Sequence, residues 1–262
     1  MKSILLFACV LFLSCKCFCQ YLPEDMRQGL KGNVSFITTT KYYDYPKGIE
    51  ERNLQVFDRQ NHFIKAINYD TTQKISTDII FKYDEKGRLL SYSSFAGKVM
   101  QVKTVNFYNS LGLVTIQFVY LYTHGYPNSH FTLVKHFYTY NNIKQPIKIY
   151  TEQHGIDKSP YHEYFRYNDK GQKVERVREA YALNSTSKNI YSYDKHGEIS
   201  QIIETDPYDP VPFYDTTRYE YTSYDKFGNW HKKQAFRISE GQKKPLDITL
   251  RKIVYFKNKS WQ

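Results

Sequence analysis

One short phrase recurs seven times along this chain: an aromatic residue, an Asp or Asn, two free positions, then usually Gly. The copies are Phe57-Asp58…Asn61, Tyr83-Asp84…Gly87, Tyr108-Asn109…Gly112, Tyr140-Asn141…Lys144, Tyr167-Asn168…Gly171, Tyr193-Asp194…Gly197 and Tyr224-Asp225…Gly228. Their aromatics lie 26, 25, 32, 27, 26 and 31 residues apart. A period in this range is the mark of an array of one supersecondary unit. It constrains architecture strongly and activity hardly at all.

The phrase has the chemistry of a tight turn. Asp or Asn at the first position of a type I turn accepts a hydrogen bond from the backbone two residues on, and Gly at the fourth supplies a positive φ. A type I turn followed by a left-handed residue is a common hairpin connection with a bulge. Asn61 tolerates the left-handed region best after Gly; only Lys144 breaks the rule.

Around the turns the residues alternate as half-buried strands require. Before them come Ile79, Phe81 and Tyr83, or Val134, Tyr138 and Tyr140. After them come Val114, Ile116, Phe118 and Tyr120 with Thr115 and Gln117 between, or Ile147 and Ile149 flanking Lys148. Tyr219 and Tyr221 are out of phase with Tyr224, which predicts a bulge there. Seven hairpins and an entry strand around Val34 to Thr40 give ~15 strands, and ~4.8 Å per strand makes ~70 Å of sheet, which must curl or split. The expected fold is all-β: a long antiparallel meander of about seven β-hairpin repeats, curved as an open sheet or half-barrel with aromatics on its concave side. Longer connections are expected within Thr40–Gly48, Tyr122–His130, Gln153–Tyr161 and Glu204–Thr216.

Tyr-Asp-Glu-Lys-Gly-Arg-Leu at 83–89, Tyr-Asn-Asp-Lys-Gly-Gln-Lys at 167–173 and Tyr-Asp-Lys-Phe-Gly-Asn-Trp at 224–230 resemble the YD repeats of RHS-like proteins. Leu30-Lys31-Gly32-Asn33-Val34 resembles the first strand of small secreted YD-repeat proteins of the Bacteroidetes type, mostly of unknown function. The resemblance covers about residues 30 to 257 and implies an exported β-repeat protein. Large members of the family spiral into a shell around a toxin. This chain is too short for that, its spacing is longer, and no toxin or self-cleaving segment is expected.

Residues 1–19 read as a signal peptide, followed by a single β domain over 20–262. Lys2 precedes an apolar run from Ile4 to Ser14, too short to span a bilayer. Cys17-Phe18-Cys19 before Gln20 fits ordinary cleavage, whereas Phe12-Leu13-Ser14-Cys15 resembles a loose lipobox that would lipidate Cys15. All four cysteines, Cys9, Cys15, Cys17 and Cys19, fall in this stretch. A domain cut before Gln20 therefore has no disulfide staple and no thiol chemistry. The expected location is the periplasm, the outer-membrane surface or the medium, with membrane contact only through a Cys15 lipid.

The formal charge is +11, of which Lys2 and Lys16 leave with the leader, giving 35 − 26 = +9. No dense basic run accompanies it, so spread charges read as solubilising a long sheet, and no nucleic acid is expected. No cofactor or metal is expected either. His130 and His136 are ~20 Å apart on one strand, and His154 and His162 lack a placed carboxylate. Glu163, Glu175, Glu179, Glu204 and Asp206 could supply a glycosidase pair only if two converge, and no nucleophile or phosphate motif is present. The sequence thus favours a non-catalytic envelope protein that binds a glycan or a protein partner. A structural role by strand pairing at an open edge is the alternative, and a carbohydrate-active enzyme the third. The residues proposed for a ligand are Tyr208, Phe213 and Tyr214 in the Pro-rich connection, and Trp230 after the last turn.

Overall fold

Every phrase closes a hairpin in the same way. At Asp84 the backbone N–H donates to the Arg88 carbonyl (2.9 Å), the Gly87 N–H donates back to the Asp84 carbonyl (2.9 Å), and Asp84 Oδ1 accepts from the N–H groups of Lys86 (3.0 Å) and Arg88 (2.8 Å). The other six repeat this pattern, and Asn61 and Lys144 take the left-handed position at φ 62° and 66°. An eighth copy, Tyr69-Asp70…Gln73, folds identically at φ 61°; Gln at the fourth position hid it.

A computed structural model describes residues 30–43, 50–122, 131–154, 160–180, 185–206, 213–239 and 241–256. Residues 1–29, and with them the expected signal peptide and Cys15, lie outside the described residues. Sixteen strands form: β1 Val34–Tyr43, β2 Glu50–Phe57, β3 Phe63–Tyr69, β4 Ile75–Tyr83, β5 Leu89–Ala96, β6 Val99–Tyr108, β7 Val114–Tyr122 and β8 Phe131–Tyr140. Then come β9 Pro146–His154, β10 Tyr161–Tyr167, β11 Lys173–Ala180, β12 Ser185–Tyr193, β13 Ile199–Asp206, β14 Phe213–Tyr224, β15 Trp230–Ser239 and β16 Gln242–Tyr255. Each pairs antiparallel with its sequence neighbours, within the compact unit Lys31–Gln262.

The sheet is closed, which corrects the expected open sheet or half-barrel. β1 pairs with β16 from Val34↔Tyr255 to Tyr43↔Asp247, and with β2 on its other side. An even number of strands brings the first and last together antiparallel, and closure satisfies both rows of backbone groups that open edges would leave unpaired. The seven repeat turns share one end of the barrel with the entry to β1 and the exit from β16, where Phe256 N–H meets the Asn33 carbonyl at 2.9 Å. The strand ends that the connections of variable length join lie at the other end.

The alternation read from the sequence also needs correcting. Pairing slips by one residue after each repeat turn, as at Tyr108↔Val114 followed by Phe107↔Ile116. One extra residue reverses which face the strand shows to the interior. The order after each turn is therefore in, out, out, in. Leu89 is buried, Leu90 exposed and Tyr92 buried again; Phe63, Ile64 and Ala66 do the same. Gln117 and Val119 consequently face inward, while Ile116, Phe118 and Tyr120 face outward. Ile149 faces in; Ile147 and Lys148 face out. The bulge expected near Tyr224 is present, with shifts at Tyr221/Ser223 and Ser223/Tyr224.

The repeat tyrosines tie neighbouring hairpins together. Their hydroxyls donate to the carbonyl of the residue that opens the second strand of the preceding hairpin. Tyr83 reaches Phe63 (2.8 Å), Tyr108 Leu89 (2.7 Å), Tyr140 Val114 (2.8 Å), Tyr167 Pro146 (2.8 Å) and Tyr193 Lys173 (2.7 Å). In the last unit the bulge moves Tyr224 out of place, and Tyr221 makes this bond to Ile199 at 3.0 Å.

Candidate functional site

The inner wall divides by chemistry. Phe57, Phe63, Ile79, Phe81 and Tyr92 form an aromatic and aliphatic sector on β2 to β5. From β6 to β10 the directly paired inward positions are instead Asn106, Gln117, His136, Thr151 and Tyr161. The first four are buried. Gln117 Nε2 donates to Asn106 Oδ1 (2.7 Å), Asn106 Nδ2 to the Leu89 carbonyl (2.9 Å), and His136 Nδ1 lies 2.8 Å from Thr151 Oγ1. In the next row Glu163 is buried and ion-paired with Arg176, and the Arg178 guanidinium sits 4.0 Å from the Tyr161 ring centroid. Burial pulls the His136 pKa down to about 4, against the opposing charge of Glu163, so the ring is neutral at pH 7. Among the described residues Thr104 Oγ1, His136 Nε2 and Arg178 Nε are buried with no hydrogen-bond partner. Groups so placed normally find water or a ligand.

A second inward cluster lies on β14 to β16. Trp230, only 4% exposed, packs on Tyr221 (5.5 Å between centroids) and beneath the Arg251 guanidinium (3.5 Å). Lys233 Nζ is 5.0 Å from the Tyr219 ring centroid and 5.5 Å from that of Trp230. Burial, and next the neighbouring Arg251 charge, lower Lys233 to about 8; burial lowers Arg251 to about 10.

The outer wall is just as uneven. On β6 to β10 it carries rings in mutual contact: Phe107 with Phe118 (5.0 Å), Tyr120 and Tyr122 with Phe131 (5.4 and 6.0 Å), Phe137 with Tyr150 (6.0 Å), and Tyr150 with His162 (4.9 Å). Phe107 is 45% and Phe131 50% exposed. Lys135 lies over Phe118 and Lys148 over Tyr164. Elsewhere on the outer wall ion pairs stand beside single exposed aliphatic residues: Lys65 pairs with Asp78 (3.0 Å) and Glu175 with Arg166 (3.1 Å) and Lys188 (2.7 Å), while Ile64, Ile80, Leu90 and Leu250 are exposed.

The residues proposed for a ligand do not converge. Tyr208 lies outside the described residues, and Phe213 opens β14 at the loop end. Tyr214 points outward, 66% exposed, at that same end. Trp230 starts β15 at the turn end, on the inside. The carboxylates do not converge either. Glu163 faces inward, whereas Glu175 and Glu179, paired opposite Arg166 and His162, face outward. Glu204 is inward but three strands from Glu163, ~14 Å along the wall. His154 lies four residues along β9 from Tyr150, the partner of His162, ~13 Å away. Among the described residues no group of three or more His, Cys, Asp or Glu is placed to hold a metal. A cleft of about 610 Å³ between two repeat turns is lined by Asn168, Gln172, Tyr191, Tyr193, Asp194 and His196 among others; its groups are chiefly the turn residues themselves.

The fold resembles that of a porin-like protein. The crystal structure of a porin-like protein from Bacteroides uniformis matches 86% of this chain and 98% of that one, with a TM-score of 0.56 at 10% identity. Two TcdB2–TccC3 structures, one with Cdc42 and one with TEV, match 81% and 75% of this chain at TM-scores of 0.37 and 0.36 and 11% and 12% identity. This chain spans only 13% and 12% of their length, and a likeness at that level shows neither fold nor function. No family model and no curated protein matches the sequence.

Proposed function

We propose that this chain is an exported, non-catalytic envelope barrel that stands in water and binds a protein partner through the aromatic outer face of β6 to β10. The observation that carries this is the one-sidedness of the outward ring cluster: among the described residues, the outward-facing rings in mutual contact lie on β6 to β10. A barrel held in lipid carries an apolar band around its whole circumference, and a Lys or Arg at the bilayer midplane costs about 2–4 kcal/mol. Here Lys65, Asp78, Glu175, Lys188, Arg218 and Lys252 occupy outward strand positions around the rest of the wall. A wall so interrupted by charge suits water, and the side that carries the ring cluster suits a partner. Lys103, Lys135 and Lys148 stand among its rings, so the complementary surface is apolar with an acidic rim. The likeness to a porin-like fold supports an envelope setting, and the uniform turns support kinship with YD-repeat proteins.

A second reading, a glycan held against the inner wall, is favoured by the unpartnered Thr104 Oγ1 and His136 Nε2. Edge pairing loses its basis because β1 and β16 occupy each other's edges. Catalysis by a carboxylate pair loses its support because Glu163 is engaged by Arg176.

The test compares wild type with Phe107→Asp/Phe131→Asp and with Thr216→Asp on the polar side, by cross-linking in cell-envelope extracts. All three should purify as stable monomers without detergent, and only the double variant should lose its cross-linked partner. Retention of the same partner by the double variant, or a need for detergent to keep the wild type dispersed, would overturn the reading.

A further inference from the structure

We infer that Lys233 and Arg251 form an anion subsite on the inner wall, built to take one oxyanion group (carboxylate, sulfate or phosphate) of a ligand. This goes beyond the outer-face reading and does not depend on it. Lys233 pairs with Thr249, two residues from Arg251 on the same face of β16, so two cations share one patch of wall. Among the described residues neither has an ion-pair partner, and Arg251 Nε is buried without an acceptor. Like charges set side by side away from water are unfavourable unless an anion joins them.

The acids nearby are already engaged. Asp247 on β16 is paired with Lys41 of β1 at 3.2 Å and accepts from Thr249 Oγ1 at 3.2 Å. Glu198, just before β13, accepts a hydrogen bond from Trp230; burial raises its pKa and the Arg251 and Lys233 charges pull it back, so one carboxyl stands against two cations. Tyr219 and Tyr221 of β14 supply rings to the cluster, and burial holds the Tyr221 hydroxyl well above its usual value.

The repeat itself departs from its pattern at this place. In three other units the residue after the turn folds back on its own Asp or Asn: Arg88 on Asp84 (2.6 Å), Gln145 on Asn141 (3.2 Å), Gln172 on Asn168 (2.9 Å). Glu198 would there meet Asp194, carboxylate against carboxylate, and bonds Trp230 instead. The adjoining unit carries the bulge that displaces Tyr224, whose hydroxyl lies 3.4 Å from Asp194 Oδ2. Trp230 then fills the space under Arg251. Three departures from the repeat thus converge on the two unpaired cations.

Calorimetric titration of the full chain with inorganic sulfate, inorganic phosphate and galacturonate, at constant ionic strength set with chloride, tests this directly. Saturable binding is expected in at least one arm, and the tightest arm tells a sugar carboxylate from a free inorganic anion. Charge-assisted bonds of ordinary strength predict weakening of about ten-fold or more in Lys233→Met and Arg251→Met, and none in Lys252→Met, which points outward. Affinity should fall as pH rises through about 8, where Lys233 loses its proton. Should a variant fail to fold, acylation of Lys233 in the wild type, read by peptide mass, replaces it: the bound anion should slow the reaction about ten-fold. No binding in any arm, a response equal to that of chloride, or an unchanged acylation rate would overturn the inference.

Discussion

His136 shows how a single residue carries both structure and a pH response. It is 6% exposed with its Nδ1 on Thr151, and its pKa of about 4 lies well below that of a solvated imidazole. The unfolded chain takes up this proton near pH 6.5 and the folded chain does not. Stability is therefore fully present above 6.5 and lost as pH falls toward 4. About 3 kcal/mol is the upper bound for that loss. Urea melts at pH 7 and pH 4.5 should show it, and His136→Gln should remove most of the difference. Lys144 is a second local case. Its left-handed φ of 66° costs an L-residue roughly 1–2 kcal/mol, of which the greater freedom of an unfolded glycine cancels about half. Lys144→Gly should stabilise by about 0.5–1 kcal/mol in the same assay, since nothing else distinguishes its turn.

At the scale of the hairpin, the repeat was legible because its signals are local. Asx at the first position, a left-handed residue at the fourth and flanking β-formers need no distant partner. What was not legible was which face each strand buries. The bulge after every turn inserts one residue, so the apparent stripe Val114, Ile116, Phe118, Tyr120 is split between the two faces of the sheet. The inward row Asn106, Gln117, His136, Thr151 emerges only when that residue is counted. Polar residues at those offsets are the sequence signal that would have found it. The tyrosine ladder is likewise a property of neighbouring hairpins. Tyr167→Phe removes the bond to the Pro146 carbonyl and should cost about 1 kcal/mol. Tyr214→Phe, on an exposed outward tyrosine, should be silent in thermal melts.

At the scale of the whole molecule, closure decides what can bind. An open sheet would offer its edges to other chains; the barrel removes them and leaves an inner wall, an outer wall and two unlike ends. The two ends of the described barrel meet at the turn end through Asn33 and Phe256. A circular permutant that links residues 31 and 256 and opens the chain within 123–130 should therefore fold, with the same circular dichroism spectrum and a single cooperative melt. Loss of β structure in it would mean that closure depends on where synthesis begins.

The candidate site was only partly legible for the same reason. Trp230 was singled out from its place after the last turn, yet its partners Lys233, Tyr221 and Arg251 lie on three strands whose registers are fixed by pairing. Tyr214 and Trp230, near each other along the chain, end at opposite ends of the barrel. The sequence by itself determined the hairpins, their turn geometry, the antiparallel order and the bulge near Tyr224, because turns and strand preferences act over a few residues. Closure, the polar inner row, the one-sided aromatic wall and the paired cations were decided by the tertiary structure. They depend on accumulated register across sixteen strands and on the meeting of β1 with β16, which no local window contains.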